Sequence, residues 1–271
     1  MKTSETSGRR FRQGPWVRGR ASAGLQSPVA MTIANNLAEI RARVAQAARR
    51  AGREPGEVAL MAVSKTHPAA AILEAMAAGQ TLFGENRVQE FATKRDAVLA
   101  GSSDGRFHLI GHLQSNKAAR AAELFDAIDS VDSLRLAERL NEAAERGNRR
   151  LDVLIEINVG GEAAKSGLDP ASRELAALLD AQARLPNLVI RGCMTVPPFT
   201  PDAEGARSCF RQLRELRDRL RAQSGLQLDE LSMGMSHDFE VAIEEGSTCV
   251  RVGTAIFGER AYPAPHEEPA R

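Results

Sequence analysis

Residues 58–84 read VALMAVSKTHPAAAILEAMAAGQTLFG, and this stretch decides the fold. An aliphatic run, Val58–Ser64, is followed by a segment of helical character, Ala69–Ala78, and then by a second short β-rich run, Thr81–Gly84. Two strands joined by a helix form the crossover unit of a parallel sheet, because parallel neighbours cannot be joined by a tight turn. The stretch therefore predicts a β-α-β unit.

The same alternation continues along most of the chain. Further strands are predicted at Phe107–Gly111, Ala127–Val131, Leu151–Asn158, Leu188–Val196, Glu230–Met235 and Cys249–Phe257. Helices are predicted at Ile33–Arg50, Val88–Ala100, Ser133–Arg146, Ser172–Ala183, Glu204–Gln223 and Asp238–Glu245. Eight strands within residues 31–260 favour an α/β fold, a single (β/α)8 barrel of the TIM type with an extra N-terminal helix, whose usual length is about 250 residues. An open doubly wound sheet is the alternative, and the absence of a GxGxxG turn after the first strand weakens it.

Both ends of the chain differ from this region. Residues 1–30 are rich in Gly, Ser and Arg with a single acid, Glu5, and we expect a disordered basic extension, so that Met31 begins the folded protein. Residues 261–271 contain three prolines, which predicts a flexible tail.

Composition excludes several classes of function. A net charge of +1 argues against a nucleic-acid or acidic-membrane partner, and no apolar run reaches the length of about 18 residues that indicates a membrane span. The three cysteines form no CxxC pair, which is typical of reduced thiols in a cytoplasmic protein. We expect a monomer, because no exposed apolar patch is evident.

Lys65 is the most conspicuous residue at the predicted carboxyl ends of the strands, where barrels of this type hold their ligands. It directly follows an almost wholly apolar strand, and it is one of only five lysines among 36 basic residues. A partly desolvated amine in this position is a candidate nucleophile for a carbonyl group. The alternative is a lysine that reaches the rim to pair with a carboxylate.

Small and hydroxyl residues follow the last two predicted strands, where barrels often bind phosphate. Ser236 is expected to cap the helix that begins at 237, Gly253 and Thr254 follow the last strand, and Arg251 adds a permanent cation. A close-packed Gly/Ser turn is the alternative interpretation. Together with Lys65, these residues point either to pyridoxal phosphate or to a sugar-phosphate aldolase.

Seven segments carry a more specific signal because they occur in order between about residue 35 and residue 260. They are AVSKT (62–66), FGEN (83–86, with Gln89 and Glu90 after it), FHLIGHLQSNK (107–117), NVGGEAAKSG (158–167), GCMTVPP (192–198), LSMGMS (231–236) and VRVGTAIFG (250–258). In these segments the chain resembles the pyridoxal phosphate homeostasis proteins, which are related to the barrel domain of alanine racemase.

The resemblance implies a role for each candidate residue. Lys65 would hold pyridoxal 5′-phosphate as a Schiff base, Asn86 would lie near the ring, and Arg251 would face the pyridine nitrogen or the phosphate. Ser236, Gly253 and Thr254 would hold the phosphate.

Two positions depart from the family, since Arg87 stands where a tyrosine is usual and Gly160 replaces a common serine.

The same resemblance favours a carrier over an enzyme. Alanine racemase uses a lysine and a tyrosine as opposed bases, and the only tyrosine here is Tyr262, beyond the last predicted strand. We therefore expect a protein of intracellular cofactor homeostasis, which buffers or delivers pyridoxal phosphate through transient contact with apo-enzymes and has no catalytic residues. A slow pyridoxal-phosphate-dependent racemase remains the alternative.

No metal is expected, because His108 and His112 lack the glutamate of an HExxH motif.

Overall fold

Eight parallel strands close into a barrel in chain order, as the sequence predicts. A computed structural model describes Met1, residues 32–162 and residues 166–258. The strands are β1 (Ala59–Val63), β2 (Leu82–Glu85), β3 (Arg106–Leu109), β4 (Ala127–Val131), β5 (Leu151–Glu156), β6 (Leu188–Met194), β7 (Glu230–Met235) and β8 (Cys249–Val252). Pairing of β1 with β8, from Ala59↔Cys249 to Ala62↔Val252, closes the barrel and excludes an open sheet.

Helices surround the strands. They are α1 (Ile33–Arg50), α2 (Ala69–Ala77), α3 (Val88–Gly101), α4 (Ala118–Leu124), α5 (Leu134–Arg146), α6 (Arg173–Asp180), α7 (Arg207–Ser224), α8 (Phe239–Glu244) and α9 (Thr254–Phe257). None of these described helices combines the length and the apolar character that a membrane crossing requires.

The extra N-terminal helix α1 is present with the predicted bounds. Thr32 caps it by accepting a hydrogen bond from the backbone N–H of Asn35 at 3.2 Å. Leu37, Ile40 and Val44 form its buried face. Asn36 Nδ2 donates to the carbonyl oxygen of Ile256 at 2.8 Å, so α1 is tied to α9 at the far end of the chain.

Aromatic packing fixes α3 against the barrel. The ring of Phe91 on α3 lies 4.6 Å from that of Phe107 and 4.9 Å from that of Phe125, measured between centroids. Phe91 is fully buried, and burial of such a side chain contributes about 2–3 kcal/mol relative to exposure. These contacts anchor α3 to β3 and to the residue after α4, which matters because α3 also contributes to the site below.

Two sequence predictions fail in detail. The run Cys249–Phe257 is not one strand, because β8 ends at Val252 and the chain turns at Gly253 into the short helix α9. No helix was predicted between the third and fourth strands, whereas α4 lies there. Its apolar residues are mostly alanines, which give a weak hydrophobic period. The predicted basic extension (1–30) and tail (261–271) lie outside the described residues, apart from Met1.

Candidate functional site

A cavity of about 350 Å³ opens at the carboxyl ends of the strands. It is lined by all six residues that the sequence singles out, namely Lys65, Asn86, Ser236, Arg251, Gly253 and Thr254. They belong to the ends of β7, β8, β1 and β2, which are consecutive neighbours in the closed barrel. Strand order therefore brings the two ends of the sequence together at one cavity.

The turn that carries Lys65 has an unusual backbone. β1 ends at Val63, and Thr66 adopts a left-handed conformation with φ of 67°, which is uncommon for a residue other than glycine. The Thr66 backbone N–H donates to Glu90 Oε1 at 2.5 Å, and the His67 N–H donates to the Ser64 carbonyl at 3.1 Å. Lys65 is half-buried. It lies in a tight turn that these two hydrogen bonds stabilise.

A buried ion pair lies directly behind this turn. Lys94 Nζ on α3 is 2.8 Å from Glu85 Oε1, and Glu85 has no exposed surface. Burial raises the pKa of Glu85, and the nearby Lys94 ammonium counteracts only part of this effect. Glu85 Oε1 also accepts from Ser64 Oγ at 2.5 Å, whereas its Oε2 has no hydrogen-bond partner among the described residues.

Ser236 lies at the cavity but does not cap a helix, so that prediction is wrong. The N-cap of α8 is Asp238. The Asp238 side chain turns back and accepts from the Met235 backbone N–H at 2.6 Å, and this tight turn leaves Ser236 at the mouth of the cavity.

Gly253 and Gly234 both sit where a side chain would collide. A Cβ on Gly253 would lie 3.2 Å from the Val63 carbonyl oxygen. Gly234 has a φ of 94°, and a Cβ there would lie 2.6 Å from that of Ala242. Close packing therefore explains both glycines, and Gly253 also leaves room at the cavity.

Arg251 brings a fixed cation to the cavity. Its Nη1 donates to Ser232 Oγ and its Nη2 to the Thr195 carbonyl oxygen, both at 2.7 Å. The residue is 3% exposed, and burial lowers its pKa. An arginine nevertheless keeps its charge at any ordinary pH, so the guanidinium is a preorganised positive group.

A second group of titratable residues, which the sequence does not predict, consists of Glu156, Asp132 and His112. Glu156, at the end of β5, is 8% exposed and its Oε2 has no partner among the described residues. Burial, followed by the negative charge of Asp132, raises the pKa of Glu156 to about 7. Asp132 Oδ2 in turn lies 3.0 Å from His112 Nδ1.

The opposite end of the barrel holds another cavity, of about 290 Å³, which none of the six candidate residues lines. His108 Nδ1 lies there, 3.0 Å from Asp129 Oδ1. Burial opposes protonation of His108, but Asp129 outweighs it and raises the pKa of the imidazole.

Within the described residues, no three His, Cys, Asp or Glu side chains are grouped as metal ligands.

Two positions depart from the family pattern, Arg87 and Gly160, and neither is among the residues that line the cavity. Arg87 is exposed at the N-cap of α3. A Cβ on Gly160 would lie 2.8 Å from Pro198 Cδ, so a serine there requires a shift of this proline.

Cavity residues that the sequence analysis did not assign to the site are mostly apolar or aromatic. They are Val63, His67, Ile110, Val196, Met235, His237 and Gly258. His67 stacks on Phe257 with ring centroids 4.8 Å apart, and exposed His237 lies against Phe199 at 5.8 Å. Their position at strand ends was a usable signal, because His67 follows Lys65 closely and His237 follows Ser236 directly.

Comparison with known proteins gives consistent results. The alanine racemase N-terminal domain profile matches residues 35–261. The pyridoxal phosphate homeostasis protein of Pseudomonas aeruginosa is 49% identical over 234 residues, which are 86% of this chain and 98% of that protein. The protein of the same name from Escherichia coli K12 is 47% identical over 236 residues, covering 85% and 97% respectively.

Solved structures agree with the barrel. PipY of Synechococcus elongatus, determined with PLP bound, is 44% identical with a TM-score of 0.74, over 84% of this chain and 100% of that one. Alanine racemase of Bartonella henselae is 17% identical with a TM-score of 0.63, over 86% of this chain and 62% of that one. The second likeness supports the fold alone.

Proposed function

Because the chain belongs to the family of pyridoxal phosphate homeostasis proteins, we propose that it binds pyridoxal 5′-phosphate and serves in the supply of this cofactor within the cell. The observation that carries the proposal is the cavity at the strand ends. Lys65, which carries an amine, lines this cavity together with the hydroxyl residues Ser236 and Thr254. Gly253 and the fixed cation Arg251 complete this part of the wall.

The residues present fit the chemistry of the cofactor. An aldehyde needs a nearby amine, which Lys65 provides at the end of β1. A phosphate needs hydroxyl or N–H donors and space, and Ser236, Gly253 and Thr254 supply them at the ends of β7 and β8. Because Gly253 has no side chain, the backbone beside Val63 can be approached closely.

Each candidate residue then has a distinct role. Lys65 would hold the cofactor as a Schiff base, Asn86 would lie near the ring, and the phosphate-side residues (Ser236, Gly253 and Thr254) would hold the phosphate. Pyridoxal phosphate supplies an electron-accepting ring when it is bound. Arg251 is fixed by Ser232 and Thr195, and a permanent cation facing the pyridine nitrogen disfavours a proton on that nitrogen.

This arrangement favours a carrier that buffers or delivers the cofactor to apo-enzymes by transient contact, acting as a monomer. No tyrosine occurs among the described residues, since the only one in the chain is Tyr262. The second candidate is a slow racemase, because two histidines, His67 and His237, line the cavity and are able to exchange protons.

Uptake of the cofactor tests the proposal. Purified protein mixed with pyridoxal phosphate and then separated from unbound cofactor by gel filtration is expected to retain a visible absorbance band, and borohydride reduction is expected to fix the cofactor to the peptide that contains Lys65. Lys65→Ala should lose both signals, whereas Lys117→Ala, a lysine outside the cavity, should keep them. Wild-type protein that stays colourless would contradict the proposal.

Exchange of the α-hydrogen separates the two candidates. Amino acids incubated with loaded protein in D₂O are expected to keep their α-hydrogen. Rapid exchange that disappears in Lys65→Ala would replace the carrier by the racemase.

A further inference from the structure

Lys94 occupies an unusual position for a lysine. It lies in the middle of α3, three residues after Phe91 and four before Val98, on the face that packs against the barrel. The residue is 8% exposed. A buried ammonium is costly unless oxygen atoms surround it, so its partners indicate what it stabilises.

Four oxygen atoms surround the Lys94 ammonium. Two are carboxylate oxygens, Glu85 Oε1 at 2.8 Å and Glu90 Oε1 at 3.2 Å. The other two are backbone carbonyl oxygens, of Ser64 at 3.0 Å and of His67 at 3.1 Å. These two carbonyls bracket Lys65 and Thr66, so the ammonium holds both ends of the turn that carries Lys65.

Glu90 holds the middle of the same turn. Its Oε1 accepts the backbone N–H of Thr66, the residue with a φ of 67°. For a β-branched residue this left-handed conformation is strained, and it persists only when neighbouring groups hold it in place. Glu90 and Lys94 lie one helical turn apart on α3, so a single rigid helix supplies both contacts.

We propose that Glu90 and Lys94 form a turn clamp that directs the side chain of Lys65 into the cavity, which makes Lys94 a positioning residue for covalent attachment of the cofactor. The inference rests on the proposed function. The turn clamp acts on residues 64–67 at β1, whereas the phosphate-side residues lie on β7 and β8. Loss of the clamp should therefore impair covalent attachment at Lys65 more than binding of the phosphate.

The main test is the double variant E85Q/K94M. Lys94→Met alone would leave the buried Glu85 carboxylate without its counter-charge. Glu85→Gln is therefore added, because it removes the negative charge of Glu85. Total binding of pyridoxal phosphate is measured by equilibrium dialysis, and the covalent fraction by borohydride reduction and peptide mass. Covalent attachment adds to total affinity, so total affinity should fall with it, whereas affinity for pyridoxamine phosphate, which has no aldehyde, should change by less than about threefold. The ratio of covalent to non-covalent cofactor should fall about tenfold, which corresponds to about 1.4 kcal/mol.

Three controls separate positioning from general destabilisation. Glu85→Gln alone keeps Lys94 on both carbonyls and should retain the covalent fraction. Glu90→Gln keeps an acceptor for the Thr66 N–H and should resemble wild type, whereas Glu90→Ala removes it and should lower the covalent fraction. A purely structural role predicts instead that thermal stability falls while the ratio of covalent to total cofactor stays constant in every variant.

Two contradictory outcomes are distinguishable. Wild type that binds no cofactor overturns the proposed function, and the turn clamp with it. Wild type that binds normally, together with an unchanged covalent fraction in both E85Q/K94M and Glu90→Ala, overturns the turn clamp alone. Should E85Q/K94M fail to fold, Glu90→Ala decides between the two roles.

Discussion

Arg251 Nη1 donates a hydrogen bond to Ser232 Oγ at 2.7 Å, and this contact joins β8 to β7 inside the barrel. The serine is fully buried. Its oxygen fixes the guanidinium together with the Thr195 carbonyl oxygen, which accepts from Nη2 at 2.7 Å. The guanidinium therefore reaches the cavity in one orientation, before any ligand arrives.

Ser232→Ala is expected to weaken this arrangement. The substitution leaves one guanidinium N–H without an acceptor in a buried place, which costs about 1–3 kcal/mol in the free energy of unfolding. Urea denaturation of the apo-protein measures this loss. Ser224→Ala removes a serine hydroxyl at the end of α7, bonded to the Leu220 carbonyl, and should cost no more than about 0.5 kcal/mol. Equal losses in the two variants would contradict a special role for the Arg251 contact.

Ser236→Ala combined with Thr254→Val is expected to weaken binding of pyridoxal phosphate. Hydrogen bonds to a charged group contribute about 1.5–3 kcal/mol each, so affinity should fall at least about tenfold. Pyridoxal, which has no phosphate, provides the comparison, because its weaker binding should be nearly unaffected. Ser102→Ala, outside the cavity, is the matched control. An equal loss for both ligands would remove these hydroxyls from the phosphate site.

Gly253→Ala is expected to lower both stability and affinity. The new methyl group would lie 3.2 Å from the Val63 carbonyl oxygen, a backbone atom that cannot move easily. Overpacking of this kind costs about 1–3 kcal/mol. Gly56→Ala is a suitable control, because its Cβ would meet no atom within 4 Å. Thermal unfolding and cofactor titration of both variants check the prediction, and identical behaviour of the two would contradict it.

The sequence was sufficient for the barrel and for the cavity because both depend on local patterns. Aliphatic runs that alternate with helical segments determine the strands, and polar residues at the strand ends mark the rim. The run Cys249–Phe257 misled because its helical part is only four residues long. The cap at Ser236 failed because α8 begins two residues later than predicted, at Phe239, so that Asp238 and not Ser236 occupies the N-cap position.

The turn clamp was missed for a different reason. Lys94 contacts the carbonyls of Ser64 and His67, which lie 30 and 27 residues away, and backbone carbonyls leave no mark in a sequence. One signal was available, since Lys94 interrupts the apolar face shared by Phe91 and Val98. A lysine on a buried helix face needs a partner, and Glu85 or Glu90 could have been named on that ground.

Glu156→Gln is expected to change how stability depends on pH. In the folded protein burial raises the pKa of Glu156 from 4.5 to about 7, whereas in the unfolded chain the carboxyl returns to its ordinary value. Between these two values the folded state holds a proton that the unfolded state has released. The wild type should therefore lose stability as pH rises through this window, by up to about 3 kcal/mol.

The glutamine variant stays neutral at every pH and should not lose this contribution. It is expected to be more stable than wild type at a pH of about 8, and to lose most of that advantage at a pH of about 5. Urea denaturation of the apo-protein at both values measures the difference. Glu142→Gln, at an exposed ion pair with Arg139, should preserve the wild-type pH dependence. A constant difference between Glu156→Gln and wild type would show that the carboxyl does not titrate in this range, and that Asp132 and burial do not act on it together.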